Sequence, residues 1–192
     1  MTDKRIENIK CIAALRRTDL VIVLEDIYDP HNAAAIFRTC DSFGIQDVYV
    51  IFENEKMFDP RRVGKKSSSS ANKWIDFHMY TSTKECVRAL KSKNFTVVGS
   101  VLREGAQTIY GYVWPEKTAL ILGNEYSGLS QQAQSMCDQF IYIPMSGMVQ
   151  SLNVSVAAGI LIADLCTKHN KSNYFLSSVE QTVLVTNLLK RA

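Results

Sequence analysis

The chain has no C-x-x-C pair, no histidine at zinc-ligand spacing, and only three histidines, His31, His78 and His169. Structural zinc needs clustered ligands, so no metal is expected. Its five cysteines, Cys11, Cys40, Cys86, Cys137 and Cys166, are odd in number and widely scattered, the pattern of reduced thiols rather than of a disulfide framework. No apolar run is long enough for a bilayer: the longest, around 156–163, falls far short of the roughly 20 residues a spanning helix needs. The N-terminus, Met1-Thr2-Asp3-Lys4-Arg5-Ile6-Glu7, is charged and leads into no apolar secretory segment. A cytoplasmic protein without a membrane partner is expected. Two nucleotide signatures are also missing. Gly123-Asn124-Glu125-Tyr126-Ser127-Gly128-Leu129-Ser130 has two glycines but not the Lys-Ser/Thr of a P-loop, and no G-x-G-x-x-G follows the first apolar run. An oxidoreductase on a dinucleotide cofactor therefore has no fingerprint here.

What is present is a chain of 192 residues, 46% hydrophobic and 21% charged, enough for one domain with a proper core. Short apolar runs recur at residues 20–24, 48–52, 95–98, 119–122 and 140–143, each apolar at nearly every position. Continuous rather than alternating apolarity marks strands covered on both faces, as in a parallel sheet. Helical patterns fall between them at 32–43, 84–93, 130–137 and 154–168, and residues 76–80 suit an edge strand. The alternation predicts an α/β domain with a mostly parallel sheet and helices on both faces. Two further amphipathic helices, near 4–16 and 178–190, bracket this core. The first sets Ile6, Ile9, Ile12, Ala13 and Arg16 at helical spacing. Each could dock on its own core or on a second copy.

Charge is unevenly spread. Residues 61–73 carry Arg61, Arg62, Lys65, Lys66 and Lys73 with no acid and four consecutive serines, whereas 20–60 holds eight acids against Arg38 and Lys56. Cations with hydroxyls suit a phosphate backbone, and a solvated loop would look the same. Three polar islands punctuate the apolar pattern. The first runs from Glu25 to Asp41, with Asn32 expected to cap a helix and Arg38 six residues on among packing residues. An isolated guanidinium there needs a partner or a cleft, and a surface pair with Asp41 is the plain alternative. The second is Gly123 to Ser130. The third runs from Ile143 to Gly159, where Ser151 and Asn153 stand before an apolar helix and Asn153 suits its N-cap.

Together the three islands resemble the SPOUT class of RNA methyltransferases, specifically the SpoU or TrmH family of ribose 2′-O-methyltransferases. Asn32-x5-Arg38 is similar to the family's first motif, Leu122-Gly123-Asn124-Glu125-x2-Gly128-Leu129-Ser130 to its second, and Ile143-Pro144-Met145 through Ser151-Leu152-Asn153-Val154-Ser155 to its third. They occur in the family's order and span about 20–164.

The resemblance implies a single SPOUT domain over 1–192: an N-terminal helix at 1–18, a core at 19–168 threaded as a trefoil knot, and a helical extension at 169–192. It implies S-adenosyl-L-methionine as cofactor, held by Leu102, Leu122, Gly123, Ile143, Met145 and Leu152. Arg38, Asn32, Glu125, Ser151 and Asn153 would form the catalytic group near a homodimer interface. Family mechanisms make the arginine the base. A guanidinium protonated at neutral pH could instead orient the ribose and a phosphate while the proton passes to that phosphate or to water. The flanking helices and the basic stretch (Arg61, Arg62, Lys65, Lys66, Lys73, as RNA contacts) resemble most the members that methylate guanosine 18 in the D-loop of tRNA. Another tRNA position, ribosomal RNA, and a non-catalytic RNA-binding protein on the same fold are the alternatives.

Overall fold

The structure, a computed structural model, describes residues 2–63, 71–169 and 174–192. Its sheet is centred on the most apolar runs. β1 (Leu20–Glu25) and β6 (Thr118–Leu122) are buried along their whole length and pair in parallel. Outward from β1 lie β2 (Asp47–Ile51) and β3 (Asp76–Tyr80). Outward from β6 lie β4 (Thr96–Ser100), β7 (Gln139–Tyr142) and the two-residue β5 (Gln107–Thr108). The order is β3-β2-β1-β6-β4-β7-β5, every ladder parallel, and residues 76–80 form the expected edge strand. The predicted α/β class and parallel sheet are what the structure shows.

Six α-helices are described: α1 (Asp3–Ala14), α2 (Pro30–Ser42), α3 (Thr83–Ser92), α4 (Gln131–Met136), α5 (Val154–Lys168) and α6 (Ser178–Arg191). Side chains alternate across a strand, so β1 feeds two cores. Leu20, Ile22 and Leu24 meet Ile36 and Phe37 of α2 and Leu161, Ile162 and Leu165 of α5. Val21 and Val23 meet Val87 and Leu90 of α3 and Ala133 of α4. The terminal helices dock on each other, Ile9 and Ala13 of α1 against Leu184 and Leu188 of α6. Arg191 ties α6 to the β3 edge through the Asp76 carboxylate.

Two local expectations are corrected. Asn32 is not the cap of α2. Asp29 is, its carboxylate accepting from His31 N at 2.8 Å, with Pro30 in the first turn where its missing N–H costs nothing. Asn32 thus lies inside the helix with its side chain free for other work. Asp41 does not pair with Arg38 either. Its carboxylate takes Nη2 of Arg16 at 2.5 Å, a fully buried arginine that leaves α1 to reach it. A second buried set, Arg17 and His169 on Asp19, fixes the end of α5 to the start of β1: Arg17 Nε and Nη2 donate at 2.9 and 2.6 Å, and His169 Nδ1 lies at 3.0 Å. Among the described residues no helix is long and apolar enough to cross a membrane.

Candidate active site

Ligands of open α/β sheets bind outside the carboxyl ends of the strands. Here the ends of four adjacent strands, β1, β6, β4 and β7, send out the loops that hold every polar island. Between the loops after β4, β6 and β7 opens a cleft of about 690 Å³. Leu102, Leu122, Gly123, Ile143, Met145 and Leu152, the six residues expected to hold a cofactor, all line it, as do Glu125 and Ser151.

The polar wall is organised by Glu125. Its carboxylate accepts Tyr28 N at 2.8 Å, Asp29 N at 3.1 Å and Asn32 Nδ2 at 2.8 Å. Asn32 Oδ1 in turn accepts Asn153 Nδ2 at 3.0 Å, and Asn153 Oδ1 caps α5 by accepting Ser155 N at 2.8 Å and Ser155 Oγ at 2.6 Å. Residues 93 and 121 positions apart in the chain thus join in one hydrogen-bonded line, and Asn153 is both the expected helix cap and part of the site. Ser151 is exposed on the cleft wall and makes no side-chain hydrogen bond among the described residues.

Three residues that sequence reasoning did not single out hold this wall in place. Asp26 adopts a left-handed backbone (φ 50), unusual for a non-glycine residue, and its buried carboxylate accepts N–H groups of Glu53, Asn54 and Glu55. Asn124 Nδ2 donates to Asp26 O at 2.8 Å while Asn124 Oδ1 accepts Tyr126 N and Ser127 N. Glu25, at the end of β1, accepts Thr83 Oγ1, Ser130 N and Ser130 Oγ, joining α3 and α4 to the same end of the sheet. A turn of Asp and Asn after a strand was the available signal, but φ cannot be read from it. Gly123 is required for close approach: a Cβ there would lie 2.3 Å from Gly128 C and 2.4 Å from Leu129 N.

Arg38 is exposed, does not line the cleft, and has no ion pair or side-chain hydrogen bond among the described residues. Arg61, Arg62 and Lys73 are exposed too, Arg62 beside Asp59 at 3.2 Å and Arg61 over the Phe77 ring. Lys65 and Lys66 lie outside the described residues. Four of the five thiols are not poised for nucleophilic work: burial pushes Cys86 and Cys137 up to about 12 and Cys166 to about 11, and Cys40 higher still.

A model of the SpoU rRNA Methylase family matches residues 19–163. The chain belongs to the SpoU methylase family. All three polar islands lie inside the matched SpoU segment, and α1 and α6 lie outside it. Among SpoU-like relatives, the tRNA (guanosine(18)-2′-O)-methyltransferase of Thermus thermophilus is 34% identical over 174 residues, 91% of this chain and 88% of the relative. The 23S rRNA (guanosine-2′-O-)-methyltransferase RlmB of Acinetobacter baylyi is 36% identical over 148 residues, 77% of this chain but 59% of the relative. The crystal structure of the A. aeolicus TrmH/SpoU tRNA modifying enzyme superposes with a TM-score of 0.84 at 26% identity, covering 98% of this chain and 96% of that one.

Proposed function

We propose that this chain transfers a methyl group from S-adenosylmethionine to the 2′-hydroxyl of a ribose in tRNA, at guanosine 18 of the D-loop. The observation that carries this reading is the hydrogen-bonded line Glu125–Asn32–Asn153 set beside the apolar, glycine-closed cleft at the strand ends. Such a cleft fits an adenosine: Leu102, Leu122, Ile143, Met145 and Leu152 offer apolar contact, and main-chain groups around Gly123, Ile143 and Leu152 offer donors and acceptors. When bound, S-adenosylmethionine supplies an electrophilic methyl on a sulfonium. Glu125, which accepts three loop donors, fixes loop geometry rather than moving a proton. Ser151 offers its exposed hydroxyl on the cleft wall and Asn153 an anchored amide, and together they position the ribose hydroxyl. Arg38 orients the ribose and its phosphate, and the hydroxyl proton passes to that phosphate or to water.

Among the described residues Arg38 has no side-chain partner and lies outside its own cleft, which a homodimer would resolve by bringing it to a composite site. α5 leaves Val156 and Ile160 exposed one turn apart, an apolar stripe such an interface would cover. The chain forms a single 1–192 domain whose 19–168 core takes the family's knotted threading. Arg61, Arg62 and Lys73, with Lys65 and Lys66 of the same stretch, contact RNA phosphates in a cytoplasmic enzyme. A second reading, ribosomal RNA as acceptor, is favoured by the 23S relative, but the match covers 59% of that relative against 88% of the Thermus thermophilus tRNA enzyme. Total tRNA and rRNA incubated separately with methyl-labelled S-adenosylmethionine distinguish them. Label in tRNA is expected, and label confined to rRNA would reverse the choice of acceptor.

A further inference from the structure

Tyr126 contributes little to the fold. The residue is 81% exposed, and its neighbour Tyr28 is 57% exposed. The two nevertheless meet edge to face, with centroids 5.3 Å apart and planes at 78°. Exposed aromatics on loops ordinarily move, but these stand on pinned backbone. Tyr28 N donates to Glu125 Oε2 at 2.8 Å, Tyr126 N to Asn124 Oδ1 at 2.9 Å, and Asn124 and Gly128 exchange two backbone hydrogen bonds at 3.1 and 2.9 Å. The result is a preset ring that buries almost nothing. It lies where it can meet a ligand, because Tyr126 lines the cleft and follows directly on Glu125, which anchors Asn32 and through it Asn153.

We infer that Tyr126, steadied by Tyr28, stacks on the base of the nucleotide whose ribose receives the methyl; this rests on the methyltransferase reading above. RNA loops are recognised largely by splaying bases out onto aromatic side chains. A ribose held against the Asn32–Glu125 line carries its base one glycosidic bond away, within reach of the residue after Glu125. The cofactor's adenosine is served instead by the deeper apolar wall, where Leu122 is only 2% exposed. Tyr126 is the contact residue and Tyr28 a positioning residue.

The test measures methyl transfer to a tRNA transcript by the full chain carrying Tyr126→Ala, Tyr126→Leu, Tyr126→Phe or Tyr28→Ala, with S-adenosylmethionine affinity measured by calorimetry on each. Tyr126→Ala and Tyr126→Leu are expected to lower kcat/KM for tRNA by about 5- to 150-fold, mainly through KM. The ring-preserving Tyr126→Phe restores most of the loss, and Tyr28→Ala shows a smaller loss of the same kind. Affinity for S-adenosylmethionine stays at the wild-type value throughout. Parallel weakening of S-adenosylmethionine by Tyr126→Ala would assign the ring to the cofactor and overturn the inference. Wild-type rates for Tyr126→Leu would overturn it as well. If the unaltered chain methylates no RNA, the methyltransferase reading itself fails and takes this inference with it.

Discussion

Glu125→Ala removes one side chain on which three loop groups converge. Tyr28 N, Asp29 N and Asn32 Nδ2 each lose a charged acceptor. Buried hydrogen bonds to a charged group contribute roughly 1.5–3 kcal/mol each; these are partly solvated, so water replaces part of the loss and about 2–3 kcal/mol in all is expected. In a chain of this size that lowers Tm by roughly 4–12 °C. Glu125→Gln is milder. It keeps Oε1 for Asp29 and Asn32 but turns an amide N–H2 toward Tyr28 N, so one bond is lost, costing about 1 kcal/mol or roughly 2–4 °C. Differential scanning calorimetry should therefore rank wild type, Gln and Ala in that order. Both variants should lose kcat/KM as the loop holding Asn32 relaxes. The pH–rate profile of Glu125→Gln keeps the wild-type shape, because Glu125 passes no proton. Wild-type Tm in both variants would show that the three bonds hold nothing together, and a pH–rate profile flattened by Glu125→Gln alone would make Glu125 a proton-transfer group.

Two glycines in the same loop should fail for different reasons. Gly123→Ala drives a methyl into Gly128 and Leu129 backbone, costing about 1–3 kcal/mol and deforming the cleft wall, so thermal stability and S-adenosylmethionine affinity fall together. Gly128→Ala meets nothing within 4 Å and costs only its left-handed backbone (φ 69), about 1–2 kcal/mol; a larger Tm loss at Gly128 than at Gly123 would contradict the clash. The cysteines should react unequally with iodoacetamide. Exposed Cys11 is alkylated first, while Cys166, pushed up to about 11, keeps only about one thiolate in a thousand at pH 8 and Cys86 and Cys137 fewer. Mass spectrometry finding Cys86 modified as fast as Cys11 would show that the core opens readily.

The elements legible in the chain were those with strong local signals. α5 runs over Val154–Lys168 as its apolar pattern predicts, and Asn153 caps it. β1 and β6 were legible because strands buried on both faces are apolar at nearly every position, Glu25 and Thr118 at their ends being the exceptions. β5 was not, since two residues held by backbone pairing to β7 leave no periodicity. The start of α2 was misplaced although Asp29-Pro30 is an N-cap followed by a first-turn proline, a stronger signal than Asn32. Long-range pairings were invisible: nothing local tells Asp41 to choose Arg16, 25 residues earlier, over Arg38, three earlier. The six residues expected to hold a cofactor all line one cleft. The Glu125–Asn32–Asn153 line was legible only as membership. That Glu125 serves as its hub follows from a fold that brings the loops after β1, β6 and β7 to one edge.

The central claim is that this cleft and Arg38 act together on a ribose hydroxyl of tRNA. Its most direct measurement is mass-spectrometric mapping of a nuclease digest of tRNA after incubation with methyl-labelled S-adenosylmethionine and either the wild-type chain, Arg38→Ala or Arg38→Lys. The account predicts labelled 2′-O-methylguanosine at position 18 with wild type, almost none with Arg38→Ala, and little recovery with Lys, which keeps the charge but loses the planar fork. Label on a base instead of a ribose, or near-normal 2′-O-methylation by Arg38→Ala, would contradict it.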